Sequence, residues 1–153
     1  SLTRRYWHDE LGFNYRMTNI CAAIGVAQIE RLDEILERKR RIAAFYRDRL
    51  EPLGLSFQRV PVSVASSEWL VSALVPHGVD RDAVMQHMAD LGVDTRPVFY
   101  CAHHMPMYET GQLIPVAEDI ARRGFSLPSY PGLDDGDLAK VTDAVKSALQ
   151  AQR

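Results

Sequence analysis

The sequence predicts an α+β domain: a small, mainly antiparallel sheet covered by helices on one face and preceded by a long helix or helix pair. Three observations carry that expectation. Residues 17–50 contain no proline and a single glycine, Gly25, so a long helical run comes first. Short apolar strand candidates then alternate with amphipathic stretches, and proline, glycine or aspartate punctuates the junctions between them. With 153 residues, 46% of them hydrophobic and 25% charged, the chain is long enough for one domain with a real core.

The stretch GFNYRMTNICAAIGVAQIERL, residues 12–32, is the one around which the rest is organised. Gly12, Phe13, Asn14, Tyr15 and Arg16 form a polar and aromatic cluster without an apolar period, after which Thr18 or Asn19 caps a helix. Ile20, Ala23, Ile24 and Ala27 recur at i, i+3, i+4 and i+7 and predict a buried face. Ala22, Ala23, Gly25 and Ala27 remove bulk, so that another backbone or a flat ligand has room to approach. Cys21, inside this helix, reads as an inert core residue. The apolar face continues through Ile29, Leu32, Ile35 and Leu36 and resumes at Ile42, Phe45, Tyr46 and Leu50. About 34 residues at ~1.5 Å each would span roughly 50 Å, more than the width of a small domain. Two readings stay open: two helices joined by a bend near Leu32 to Glu34, or one helix running between domains. The charged block Glu37 to Arg41 reads as a solvated helix face, and Pro52 and Gly54 close the run.

Leu55 to Phe57 is a short strand candidate and Val60 to Ser67 a loop. Trp69 to Val75 is apolar enough for a central strand and ends at Pro76 to Gly78. Asp80 or Asp82 caps a helix with Val84, Met85, Met88 and Leu91 at helical spacing, and Gly92 stops it. Val93 to Phe99 is a further strand candidate, and Pro97 within it marks an edge strand or one that turns into a loop. Tyr100 to Gly111 has no periodicity. Ile114 to Arg123 reads as a short helix starting near Pro115, and Phe125 to Leu127 as the last strand. Asp134 or Asp135 then caps a terminal helix with Leu138, Val141, Val145 and Leu149 inward. The expected division is an N-terminal segment and long helix or helix pair over 1–50 and a small α+β domain over 51–153.

A formal net charge of −2 offers no electrostatic reason to expect nucleic acid or an anionic membrane as partner. No apolar run approaches the ~20 residues that span a bilayer, and the N-terminus has no signal-peptide pattern. Cys21 and Cys101 fit neither a disulfide framework nor a zinc spacing, which points to a reducing cytoplasm. The start at Ser1, within what reads as structured sequence, is what a fragment of a longer protein would show.

Polar groups converge at two irregular places, Asn14 to Arg16 and Arg96 to Tyr108. The planar fork of Arg96 suits a carboxylate or phosphate, and equally a surface ion pair. Cys101, His103 and His104 invite a metal reading, but no second ligand pair at suitable spacing supports it, so no metal is expected. His77 and His87 read as loop and helix-surface residues. Neither a nucleophile elbow, nor a dinucleotide fingerprint, nor a P-loop is present.

The run from Tyr6 through His8, Gly12, Asn14, Arg16 and Asn19 to Gly25 resembles the DegT/DnrJ/EryC1/StrS family of pyridoxal-phosphate-dependent sugar aminotransferases. Trp69 to Ser72, Thr95 to Tyr100 with His103, Met105 to Tyr108, and Pro115 to Asp119 leading into Leu127 to Pro131 agree with it in collinear order. The resemblance implies the C-terminal small domain of the fold-type-I aminotransferase architecture. In that family a large N-terminal domain carries the cofactor pocket and its Schiff-base lysine. Lys39, Lys140 and Lys146 are not reasonable substitutes, so the chain alone is expected to be inactive and to hold no pyridoxal phosphate. The resemblance further implies a homodimer in which Asn14 reaches the cofactor phosphate of the neighbouring subunit, with Tyr15 and Arg16 lining the same site. Arg96, Tyr100 and His103 are implied to face the amino donor or the nucleotide sugar. Cys101 stands where relatives usually have proline, and Ser66 where many have histidine, so the substrate loop departs from the family pattern. The implied reaction transfers an amino group, from glutamate, to the C4 keto group of a 4-keto-6-deoxy sugar nucleotide such as GDP-4-keto-6-deoxymannose. A sugar 3-dehydratase of the same family, or a folded non-catalytic remnant or interaction domain, remains the alternative.

Overall fold

Thr18 opens the first helix. Its extended backbone and its Oγ1, which accepts the Cys21 N–H at 3.3 Å, cap α1 (Asn19–Ile29) and settle the choice between Thr18 and Asn19. The computed structural model describes residues 13, 15–106, 108, 109 and 111–152, in two compact units, Ser1–Asp33 and Glu34–Arg153. The segment Tyr6 to Gly12, and Asn14, lie outside the described residues.

Two expectations for α1 need correction. The face predicted to be buried contains no buried residue, Ile20 and Ile24 being 75% and 61% exposed, and Cys21 on the same helix is exposed rather than part of a core. Periodicity reports which side of a helix is apolar, not whether the partner for that side belongs to the same chain. The helical run also breaks earlier than expected: the backbone turns at Glu30 and Arg31, and α2 (Leu32–Leu50) begins at Leu32.

In α2, Ile42, Ala43, Tyr46 and Leu50 recur at one to four residues and are all buried. A short helical turn, Glu51–Leu53, follows, and Gly54 at φ 95° reverses the chain in a conformation that a side chain would strain. The remaining elements are β1 (Ser56–Phe57), β2 (Val71–Leu74), α3 (Arg81–Asp90), β3 (Arg96–Pro97), α4 (Pro115–Arg123), β4 (Gly124–Leu127) and α5 (Asp135–Gln150). Asp80 caps α3 by accepting the Asp82 and Ala83 N–H groups. Asp134 caps α5 in a reciprocal pair with Asp137.

The sheet order is β1-β2-β4-β3 and every pairing is antiparallel. Val71 lies opposite Leu127, and Ala73 opposite Phe125. β2 and β4 are the inner strands, and β4 is buried along its whole length. α2, α3 and α5 supply the rest of the core: Tyr46, Leu50, Val84, Met88, Leu138 and Val145 join Val71, Val75 and Phe125 in one cluster. Removing each such side chain from water stabilises the fold by roughly 1.5–3 kcal/mol. Tyr46, fully buried, keeps its hydroxyl satisfied by donating to the Pro128 carbonyl at 2.8 Å. Leu91, expected at an apolar position of α3, is instead its C-cap and stays exposed.

The strand expected over Val93 to Phe99 shrinks to Arg96–Pro97 on the sheet edge, because Pro97 has no N–H to continue the ladder. Beyond it, among the described residues, only Val98 N–H reaches β4, at the Gly124 carbonyl, 3.1 Å away. A Cβ on Gly124 would lie 2.6 Å from both the Ile120 carbonyl oxygen and Val98 Cγ2, so the α4–β4 junction closes only around glycine. Two surface readings also change. The block Glu37 to Arg41 is not simply solvated: Arg38 donates to the Pro131 carbonyl, Lys39 to the Trp69 and Ser129 carbonyls at 2.7 Å each, and Arg41 pairs with Asp135. His87 is half-buried, with Nε2 2.9 Å from Ser147 Oγ, tying α3 to α5. Neither contact has a signature in local periodicity.

Candidate functional site

Polar and ligating groups gather where the loop after β3 meets α4. Cys101 precedes a helical turn, Ala102–His104, whose bonds run from His104 N–H to the Cys101 carbonyl at 3.0 Å and from Met105 N–H to Ala102 at 3.0 Å. The turn sends His103 inward, its side chain 11% exposed, and leaves His104 outward at 59%. Pro115 at the first position of α4 costs no hydrogen bond, because the first N–H groups of a helix lack intrahelical partners. Glu118, one turn on, reaches back so that Oε1 accepts Ile114 N–H at 2.9 Å and lies 3.1 Å from His103 Nε2 and 3.7 Å from His104 Nε2. The Ile114 N–H first, and the His103 hydrogen bond second, hold the Glu118 carboxyl below its ordinary value. It is therefore a carboxylate, and His103 Nε2 lies within hydrogen-bond distance of it. The Cys101 sulfur and a nitrogen of each histidine lie within 4.8 Å of one another.

The other end of α4 is held by charge. Asp119 accepts from Arg123 Nε at 3.0 Å and from its Nη2, while Arg123 Nη1, in a buried side chain, donates to the Val75 carbonyl at 2.7 Å. Those guanidinium hydrogen bonds bring the Asp119 carboxyl down to about 2. Arg81 adds bonds to the Gly124 and Ala121 carbonyls at 2.6 and 3.2 Å. A groove of about 540 Å³ opens over this arrangement, lined by Tyr100, Cys101, His104, Glu118 and Arg122 among others.

The residues singled out from the sequence do not all meet. Tyr100, 76% exposed, shares the groove with Cys101 and His104, whereas His103 is turned in against Glu118. Arg96 is exposed and lines a separate cavity of about 620 Å³ with Lys39, Trp69, Ser129 and Tyr130. Tyr15, 88% exposed, packs its ring 5.7 Å from Phe13, and Arg16 is exposed. Glu118 was not singled out. It lies fifteen residues from His103, and its only local signal is an acidic side chain in the first turn of a helix opened by proline.

Lys39 Nζ is surrounded by the Trp69 carbonyl and by the Ser129 carbonyl and hydroxyl, and burial lowers its pKa against an opposing pull from Glu68. Lys140 Nζ lies 3.5 Å from the Gly92 carbonyl and the residue lines the same cavity as Arg96, and Lys146 borders a cleft of about 60 Å³ between α5 and Leu53.

The antiparallel sheet with its helical cover is the C-terminal domain of aminotransferases. An aminotransferase, TlmJ from Streptoalloteichus hindustanus, matches it with a TM-score of 0.84 at 30% identity, over 95% of this chain and 40% of its own. The sugar aminotransferase CalS13 from Micromonospora echinospora matches at 0.79 and 26% identity, over 95% of this chain and 39% of its own. The profile of the DegT/DnrJ/EryC1/StrS aminotransferase family matches residues 1–146, and the chain belongs to that family. GDP-perosamine synthases from Escherichia coli O157:H7 and Vibrio cholerae are 43% and 40% identical to it, over 93% and 94% of this chain. The chain spans about two fifths of the length of these relatives, 39% and 41%.

Proposed function

We propose that the chain is the C-terminal portion of a pyridoxal-phosphate-dependent nucleotide-sugar aminotransferase. The whole enzyme moves an amino group from glutamate to the C4 keto group of a sugar nucleotide such as GDP-4-keto-6-deoxymannose. The observation that carries this reading is the 40–43% identity to GDP-perosamine synthases along nearly the entire chain. The exposed apolar face of α1 supports it, since such a face calls for a protein surface supplied by the remainder of the enzyme or by a second subunit.

In this reading the enzyme is a cytoplasmic homodimer, and among the described residues no helix is long and apolar enough to cross a membrane. The division into a segment and helix pair over 1–50 and a small domain over 51–153 is the arrangement that presents two sets of side chains. Asn14 donates its amide to the cofactor phosphate of the neighbouring subunit, and Tyr15 and Arg16 line the same cross-subunit site. Arg96, Tyr100 and His103 orient the amino donor or the nucleotide sugar. Pyridoxal phosphate, held by residues outside this chain, supplies the electron sink, while this chain supplies orientation and charge. The names of the relatives do not favour a 3-dehydratase or a non-catalytic remnant.

The test compares the 153-residue chain with a form extended upstream through a large domain. The chain alone is expected to stay colourless with pyridoxal phosphate and to show no turnover. The extended form should bind the cofactor and aminate the keto sugar with glutamate, and Asn14→Ala in it should weaken cofactor retention. Dehydration without amino transfer by the extended form, or turnover by the chain alone, would overturn the reading.

A further inference from the structure

We propose that the loop before α4 and the first turn of that helix form a zinc-type metal site whose four ligands are Cys101 Sγ, one ring nitrogen each of His103 and His104, and Glu118 Oε1. The inference rests on geometry, and it gives His103 to the metal in place of a direct contact with substrate. Bonds of roughly 2.0–2.3 Å to a tetrahedral ion place ligand atoms about 3.3–3.8 Å apart. Glu118 Oε1 already stands 3.1 Å from His103 Nε2 and 3.7 Å from His104 Nε2, and the sulfur and the two histidine nitrogens lie within 4.8 Å of one another. Glu118 is not part of the group that lies within 4.8 Å, so binding has to draw its carboxylate toward the Cys101 sulfur.

The donor set is selective. One thiolate, two imidazoles and one carboxylate suit Zn²⁺, whereas Ca²⁺ and Mg²⁺ require oxygen shells. The two negative charges of thiolate and carboxylate balance the ion. Glu118 is also oriented from behind, because Ile114 N–H holds its Oε1 at 2.9 Å in the manner of an outer-shell donor. Cys101 is buried and His103 nearly so, while His104 faces the groove and leaves an entry path. On binding, the Cys101 thiol loses its proton to solvent and each imidazole ligates through an unprotonated nitrogen. The ion then joins the loop carrying Tyr100 to α4. Sequence spacing offers no second ligand pair, and the tertiary fold brings Glu118 of α4 up to the two histidines.

The experiment titrates the reduced 153-residue chain with Co²⁺ and then displaces it with Zn²⁺. One equivalent is expected to bind, with a thiolate-to-cobalt charge-transfer band and the intense visible bands of tetrahedral cobalt. Cys101→Ser should erase the charge-transfer band and Cys21→Ser should leave it intact. His104→Ala and Glu118→Gln should each weaken binding by at least the roughly 10–100-fold that loss of an outer-shell partner costs. His104 is solvent-facing, so a circular dichroism spectrum unchanged in His104→Ala separates loss of a ligand from loss of the fold. Unchanged affinity in His104→Ala, or a charge-transfer band that depends on Cys21 instead of Cys101, overturns the site.

Discussion

Lys39 sits in a run of charges, yet its ammonium is committed to two carbonyls and a hydroxyl from the segments flanking β2 and β4. Lys39→Met keeps the length of the side chain and removes those bonds. The expected result is a loss of roughly 1–3 kcal/mol in urea denaturation, the range for hydrogen bonds made by a charged group. Asp119 gives a pH dependence whose direction follows from its pKa. Its carboxyl falls from an ordinary 3.8 to about 2 in the folded chain, chiefly through the Arg123 hydrogen bonds. A depressed carboxylate contributes stability that is complete above pH ~4 and is lost as pH falls toward 2. Thermal melts from pH 5 to 2 should show this loss, and Asp119→Asn should flatten the curve across that interval while lowering stability at pH 5. At this scale the sequence was partly legible. Each cap was readable to within a pair, Thr18 or Asn19 and Asp80 or Asp82, because capping is local, but the pairing of His103 with Glu118 was not, because a loop and a helix must first fold together.

Among the elements, α4 and β4 are joined without a loop, and Gly124 occupies the joint. Its φ of −86° is open to any residue, so its constraint is space: the Ile120 carbonyl and the Val98 methyls occupy the position of a Cβ. Gly124→Ala is expected to cost about 1–3 kcal/mol as overpacking, read from the denaturation midpoint. Gly25, in α1, has nothing within 4 Å of such a Cβ and makes a natural control. Helices with internal repeats of apolar residues, and the edge character of β3 implied by Pro97, were legible in advance. The break between α1 and α2 was anticipated only in kind. Glu30 and Arg31 are good helix formers, so no local signal marks a stop there.

For the whole molecule, the unburied face of α1 has the largest consequence. Ile20 and Ile24, one turn apart on α1, are exposed, along with Met17, Phe13 and Tyr15 before the helix and Ile29 on its other side. An apolar strip of that kind promotes association. Sedimentation of the isolated chain should show concentration-dependent self-association, and Ile24→Lys should reduce it. A strictly monomeric chain at high concentration, indifferent to that substitution, would show that the strip is not adhesive.

By itself the sequence determined the fold class, the order of helices and strands, the edge position of β3, and membership of a family whose motifs run in register from end to end. These follow from periodicity, capping and collinear motifs, each read within a few residues. Only the tertiary structure decided that the charged block of α2 fastens the turns beside the sheet, that α1 is exposed, and that Glu118 meets His103 and His104. Such contacts join residues far apart in the chain, and chain closure in three dimensions, not local spacing, brings their atoms within bonding distance.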